Sequence, residues 1–415
     1  MGREADLPKS GFAPQRAPST IAIYLGFAAT GVCMALPGSV LPALLARWSL
    51  ADSQAGLLFF MAWMGSSIGA LLVRLPVARA LLIGDGLLSL AAFGMAYVAT
   101  AQPRSSFVWM GLFGVGLGMV MTATSLLQAA RQAHRRGAEL NRLNLAWAVG
   151  ASLCPTLAEH SLRVADVHSI FALVGVFFLL QFVWVGIFER DPGSVGPERI
   201  PSSDLGRQRP KWTLALWPLS LVAVIFLPTG IEASMGGWIA AYVQRTQHTI
   251  ATTVTAGTCF WLGLMVSRTL SSVLLDRKTP TGVARRWSPS ESMVLRQSLL
   301  TVVVGILLLV LHGKTLGVLP GIFLIGFGLG PVYPLLLAIA LQYSQNTVIF
   351  FVAGLGSACL PWLTGVVSSA ASSLRVGLAV PLAASVVMLA LGTRQASRGG
   401  PGKAAMAAET ATVGD

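Results

Sequence analysis

Apolar residues gather along the chain into long runs separated by short polar connections. The runs lie near 20–46, 54–73, 81–101, 106–130, 143–158, 167–188, 213–242, 250–275, 293–312, 315–341, 346–370 and 374–392. About 20 helical residues cross the hydrocarbon core of a bilayer, so each run predicts a membrane-spanning helix; 143–158 is short at these edges. Twelve spans return the C-terminus to the side on which the N-terminus began.

The runs repeat. Gly114-Val-Gly116-Leu-Gly118 recurs as Gly326-Phe-Gly328-Leu-Gly330, an offset of 212 residues, and Gly150-Ala-Ser-Leu-Cys-Pro155 recurs as Gly356-Ser-Ala-Cys-Leu-Pro361, an offset of 206. A period of half the chain is far too long for a solenoid and fits a six-helix bundle. The expected organisation is an N-terminal tail over 1–19, a six-helix half over 20–188, a Pro-containing linker over 189–212, a second six-helix half over 213–392 and a disordered tail over 393–415. Parallel repeats of this kind place a site near the midplane, between the halves.

Composition agrees with an all-α membrane protein. The chain is 54% hydrophobic and 11% charged, against about 25% charged in soluble domains. The net charge of +13 would suggest nucleic acid if it were clustered on a soluble face. With the termini on the inner side, however, the outer connections hold one basic residue each (Arg47, Arg104, Arg163, Arg245, Lys314, Arg375), and the other 23 are inner or near the inner ends of spans. That is the positive-inside rule, so the partners expected are the lipid bilayer and a small-molecule substrate, not nucleic acid. Cys33, Cys154, Cys259 and Cys359 lie in spans without CxxC spacing, and the five histidines have no metal spacing, so no metal site or disulfide framework is implied. Gly313-Lys314-Thr315 has Leu308 where a phosphate-binding loop needs glycine. The GxGxG strings lie inside apolar runs and are packing glycines.

Several strings together resemble the major facilitator superfamily from about Ile21 to Leu391. Leu143-Asn144-Leu145 before Gly150 and Pro155, Glu232 with Gly236-Gly237-Trp238, Phe260-Trp261 before Arg268, Pro331-Val-Tyr-Pro334 and Gly354-Leu-Gly356 before Pro361-Trp362 are similar to the fucose-galactose-glucose permease branch and its sodium-glucose relatives. The resemblance implies twelve transmembrane helices in two six-helix halves, alternating access and no cofactor beyond possible coupling to H+ or Na+. A monomer is expected, with both termini cytoplasmic by the charge asymmetry, and the compact length without a targeting peptide points to a bacterial inner membrane. The family loop motif survives as Gly69, Arg74 and Arg79 with Val73 at its aspartate position; its counterpart keeps Asp276 and Arg277, with Ser272 at the glycine position. These residues are expected to latch an inner gate or, failing that, only to set topology. Met121 stands where the fucose permease carries a glutamate, so proton coupling on that pattern is not expected.

Glu232 is the one carboxylate well inside a run, and ionisable groups at membrane depth mark function by default. It is expected to exchange a proton or to accept hydrogen bonds from a sugar; the alternative is a structural carboxylate satisfied by a helix break around Gly230 or by a basic neighbour. Gly236-Gly237 is expected to open the helix and Trp238 to offer a flat wall, with close packing as the alternative. Trp147, Asn144, Trp261 and Tyr333 are further candidates for substrate contact, each against ordinary helix packing. Arg268 is assigned a structural task. Asp85, near the inner end of span three, is expected to be wet and to have no role. The expected function is transport of a small polar solute, a sugar foremost. The alternatives are a drug or metabolite exporter of proton-antiporter type, since Gly150 to Pro155 also resembles the antiporter motif, and a membrane sensor or enzyme, which the short connections disfavour.

Overall fold

A computed structural model of the protein describes residues 20–73, 77–100, 103–131, 136–188, 219–247, 250–275, 291–311, 317–343 and 348–398. The first half runs α1 (Thr20–Trp48), α2 (Asp52–Leu72), α3 (Val77–Thr100), α4 (Ser106–Arg131), α5 (Arg136–Val164) and α6 (Val167–Phe188). The second runs α7 (Leu219–Gln247), α8 (Ile250–Leu275), α9 (Glu291–Leu311), α10 (Val318–Leu329), α11 (Val332–Tyr343), α12 (Val348–Ala371), α13 (Leu374–Gly377) and α14 (Ala379–Arg398). α10 with α11 makes one crossing, and α13 with α14 another. Among the described residues ten crossings are long and apolar enough to span a membrane; α5 and α8 complete the twelve.

Differences from the expected spans have local causes. α5 extends well beyond 143–158 because its ends carry Arg142, Glu159 and Arg163, which hide the helix from a hydropathy reading. The tenth span breaks after Gly330 because Pro331 has no N–H to continue the ladder. α14 continues to Arg398, past the 392 boundary. The 1–19 tail and the 189–212 linker lie outside the described residues, as do Arg74, Asp276 and Arg277.

The repeated glycines explain the packing. A Cβ on Gly114 or Gly118 would collide with the α2 carbonyls of Ala62 and Ser66, and one on Gly116 would come within 2.6 Å of the Leu88 nitrogen of α3. In the second copy Gly326 lies against the α8 carbonyl of Phe260, a Cβ on Gly330 would lie 2.8 Å from that of Leu264, and one on Gly328 would lie 2.7 Å from the Ser298 carbonyl of α9. Alternate glycines thus press two neighbours at once, in the same order in both halves. Gly150 against Ala28 of α1 and Gly356 against Phe226 of α7 repeat the correspondence. Lipid tails are as apolar as the side chains, so such backbone approach is what holds helices together.

The halves meet along α2 with α12, α5 with α8 and α1 with α7. At the end of the bundle where α2 begins, Arg245 of α7 donates from both terminal nitrogens to Asp52 of α2, at 2.6 and 2.8 Å. Ser368 of α12 donates to the same carboxylate at 2.5 Å, and the Ser53 N–H donates to Ser369 Oγ at 2.8 Å. Two tight turns flank this junction, each with a non-glycine residue in the left-handed region, Ser49 at φ 49° and Ser372 at φ 51°.

Asp85 contradicts its expectation. It is fully buried in the first half, and both its carboxylate oxygens lack a hydrogen-bond partner among the described residues. Gly84 lets α3 close on Met119 and Val120 of α4, and Gly86 lies against Phe182 of α6, so packing excludes the water that a position near the end of a span suggested.

Candidate functional site

A cavity of about 260 Å³ lies between the halves. The first half supplies Met34 and Gly38 from α1, Phe59, Trp63 and Ser67 from α2, and Trp147 from α5. The second supplies Glu232 and Gly236 from α7, Trp261 and Arg268 from α8, Tyr333 from α11 and Ser357 from α12.

Its polar centre is an ion pair. Arg268 Nη2 donates to Glu232 Oε2 at 3.0 Å, with side-chain exposures of 22% and 14%. The remaining contacts of the guanidinium follow from sequence. Pro334 has no N–H, so the Gly330 carbonyl loses its helical partner four residues on; Arg268 Nε donates to that oxygen at 3.0 Å. The guanidinium carbon also lies 5.7 Å from the Trp147 ring centroid, within cation–π range. Trp147 stands edge-on to Trp261 at 5.8 Å across the halves, and Trp261 to Phe260 at 4.9 Å. One arginine is therefore tied to α7, α5 and the broken α10–α11 crossing.

Donors remain. The indole nitrogens of Trp63 and Trp147 are buried and have no hydrogen-bond partner among the described residues, and both residues line the cavity. A buried N–H without an acceptor costs about 1–3 kcal/mol, so each indole leaves a hydrogen-bonding requirement unmet beside the cavity. Ser67 is not free in this way, since it donates to the Trp63 carbonyl at 2.9 Å.

Of the residues picked out from sequence, Glu232, Trp147, Trp261 and Tyr333 line the cavity, and so does Arg268, for which only a structural task was expected. The structural alternative for Glu232 offered a helix break around Gly230 or a basic neighbour; α7 is unbroken there, and Arg268 is the basic neighbour. Trp238 does not line the cavity: it is fully buried, donates from Nε1 to the Pro361 carbonyl at 2.9 Å and stands edge-on to Phe59 at 5.6 Å. Asn144 is exposed on α5, outside the cavity lining. α7 runs unbroken through Gly236-Gly237, so these glycines serve close approach: a Cβ on Gly38 of α1 would collide with the Gly236 carbonyl, and one on Gly237 would meet Phe59 at 2.9 Å. Gly69 is a contact point with Val115 of α4, and Arg79 is exposed near the start of α3.

Sequence reasoning missed Trp63 and the Asp52–Arg245 junction. It also missed the Glu232–Arg268 pairing, which had a signal: Gln247 ends α7 and Ile250 opens α8, so a carboxylate 15 residues short of the turn and a guanidinium 18 past it reach nearly the same depth. At the end of the bundle that carries Asp52, Asp166 stands between α5 and α6. Partial desolvation pushes its carboxyl up, but the Val167 N–H and the Arg47 guanidinium together hold it below the ordinary carboxylate range. Among the described residues no cluster of three or more His, Cys, Asp or Glu could hold a metal ion.

Comparison with known proteins places this geometry. A solved structure of a bacterial homologue of the human lysosomal transporter Spinster, in an inward-facing and occupied conformation, superposes with a TM-score of 0.67 at 15% identity, covering 94% of this chain and 98% of that one. At that identity the likeness shows the fold alone. No curated protein matches the chain. The model of the Major Facilitator Superfamily matches residues 23–348, most of the protein. With twelve crossings in two equivalent halves around a shared cavity, the chain belongs to the Major Facilitator Superfamily, as a multi-pass membrane secondary transporter of small solutes and not an enzyme.

Proposed function

We propose that the protein carries a small, hydroxyl-bearing polar solute, a sugar foremost, through the cavity between its halves. The observation that carries this is the partly buried Glu232–Arg268 pair flanked by two partnerless indole N–H groups among the described residues. A sugar offers what these groups lack: oxygens to accept from Trp63 and Trp147, hydroxyls to donate to Glu232, and a ring whose apolar face fits the Trp147–Trp261 walls. Tyr333 contributes a hydroxyl from the second half. The motif resemblance to the fucose-galactose-glucose permease branch supports the same solute class.

The solute competes with Arg268 for Glu232, so binding loosens a contact that ties α7 to α8. Alternation is then the exchange of that loosened state between the two ends of the bundle. By the positive-inside rule the end bearing the termini is cytoplasmic, in a bacterial inner membrane, and the protein acts as a monomer. Gly69 and Arg79, with Arg74, Asp276 and Arg277, serve the gate at that end.

Uptake of labelled sugars into proteoliposomes, with and without pH or sodium gradients, tests the proposal. Sugar-dependent flux is expected, and the gradient arms separate H+ coupling, Na+ coupling and facilitation; no sugar-dependent flux or binding would sink the sugar assignment. The aromatic share of the walls supports a second reading, export of a metabolite with a large apolar part, which the same vesicles detect as flux in the opposite direction.

A further inference from the structure

A second cavity, about 250 Å³, lies beyond the first and is divided from it by Gly38, Gly236 and Trp261, which line both. Four helices wall it, and their lining residues fall in steps of one turn. α1 contributes Gly38, Pro42 and Ala46; α5 contributes Pro155, Glu159 and Arg163; α7 contributes Gly236, Ala240 and Gln244; α8, running the other way, contributes Phe260, Gly257 and Thr253. Eight residues at 1.5 Å each make a shaft about 12 Å deep. Apart from Ser39, whose hydroxyl donates to the Ala35 carbonyl, its floor and middle are apolar, and its charged groups are confined to one rim, just inside the end of α5. At about 250 Å³ it is near the lower limit of ligand pockets, about 300–1,000 Å³, so it fits a compact ligand and not a long chain.

The rim decides the charge of that ligand. Glu159 lines the shaft with a side chain only 15% exposed, and the cation on it is Arg163, one turn away and 65% exposed, donating to a single carboxylate oxygen. An exposed pair at i,i+4 is weak and easily exchanged. The other acids at this end are engaged more firmly: Asp52 by Arg245 and Ser368, Asp166 by Arg47 and the Val167 N–H. Glu159 is thus the anion at the rim that an incoming cation can take over while Arg163 swings into water.

We infer that this shaft is a second binding site, separate from the central cavity, which takes a compact amphipathic cation with its apolar body between α1, α5, α7 and α8 and its ammonium group on Glu159. The site is distinct in position from the central cavity, since Glu232 lines only the first cavity, on the far side of the Gly38–Gly236–Trp261 partition.

The test uses three probes of one shape, 1-adamantylammonium, 1-adamantanol and 1-adamantanecarboxylate, titrated against the full chain in nanodiscs and followed by tryptophan fluorescence and thermal melting. The ammonium is expected to bind at least tenfold more tightly than the other two. Glu159→Gln should erase that preference, Ala43→Phe, which fills the shaft, should remove binding, and Glu232→Gln should keep the preference for the ammonium. Equal binding of the three probes, preference for the carboxylate, or persistence of the preference in Glu159→Gln would overturn the inference. Loss of binding in Glu232→Gln with retention in Glu159→Gln would assign the probe to the central cavity and overturn it as well. Ala43→Phe is interpreted only where its ligand-free melt matches the parent; Glu159→Gln, at a helix end, decides the matter by itself.

Discussion

Removing the charge of Asp52 should release the contact that holds the two halves together at its end of the bundle. Asp52 receives two charge-assisted hydrogen bonds from Arg245 at 2.6 and 2.8 Å and a third from Ser368 at 2.5 Å, so α2 of one half is fastened to α7 and α12 of the other. A shielded hydrogen bond to a charged group contributes about 1.5–3 kcal/mol, and an exposed ion pair about 0.2–1 kcal/mol. Asp52 is 11% exposed and Arg245 42%, which places Asp52→Asn between the two, at about 1–2 kcal/mol. Because the contact exists only while this end is closed, the loss falls on one conformer and shifts the equilibrium about 5- to 30-fold towards the other. Double electron–electron resonance between spin labels at Gln54 and Ala370, in a background lacking the four native cysteines, reads that shift as a longer-distance population. Arg245→Gln should produce the same change, and the exchanged pair Asp52→Arg with Arg245→Asp should reverse part of it. Identical distance distributions in the parent and Asp52→Asn would refute the reasoning.

Other consequences follow from packing and from the central pair. Arg268→Ala leaves Glu232 without its partner and should cost about 3–5 kcal/mol in stability, most of it recovered in Arg268→Ala with Glu232→Gln; additive losses in thermal melts would show that the two groups are not coupled. Gly118→Ala drives a methyl into the Ser66 carbonyl and should cost about 1–3 kcal/mol. Gly186→Ala, whose new Cβ finds only Leu82 at 3.5 Å, should be neutral or gain about 0.5–1 kcal/mol; similar melting temperatures for the two would contradict the account of helix approach. Asp85→Asn should change stability by less than about 1 kcal/mol, since its oxygens have no partner among the described residues, whereas a loss of about 3–5 kcal/mol would reveal a buried ionic partner.

The scaffold was legible because it depends on features that repeat locally. Apolar runs mark crossings whatever they pack against, and the paired GxGxG strings marked the contact faces of α4 and of the α10–α11 crossing before any neighbour was known. Glu232 stood out for the same local reason, as a carboxylate at a depth where carboxylates are costly. What was not legible depends on distant partners. Asp52 is one more polar residue at the start of a span until Arg245, 193 residues on, is folded against it. Trp238 and Trp147 look alike in sequence, yet one hydrogen-bonds to Pro361 in the interior and the other faces the cavity. Asp85 misled for the opposite reason: nearness to a span end suggested water, but Gly84 and Gly86 close α3 onto its neighbours. The freed Gly330 carbonyl lies between these cases, because the proline spacing was visible and its arginine partner was not.

Solute held at the Glu232–Arg268 pair, between the halves, is the central claim. Labelled-sugar counterflow in proteoliposomes, comparing the parent with Glu232→Gln at matched melting temperature and matched reconstitution, tests it most directly. Exchange by the parent and a loss of at least tenfold in the variant are predicted; undiminished exchange by Glu232→Gln would contradict the claim.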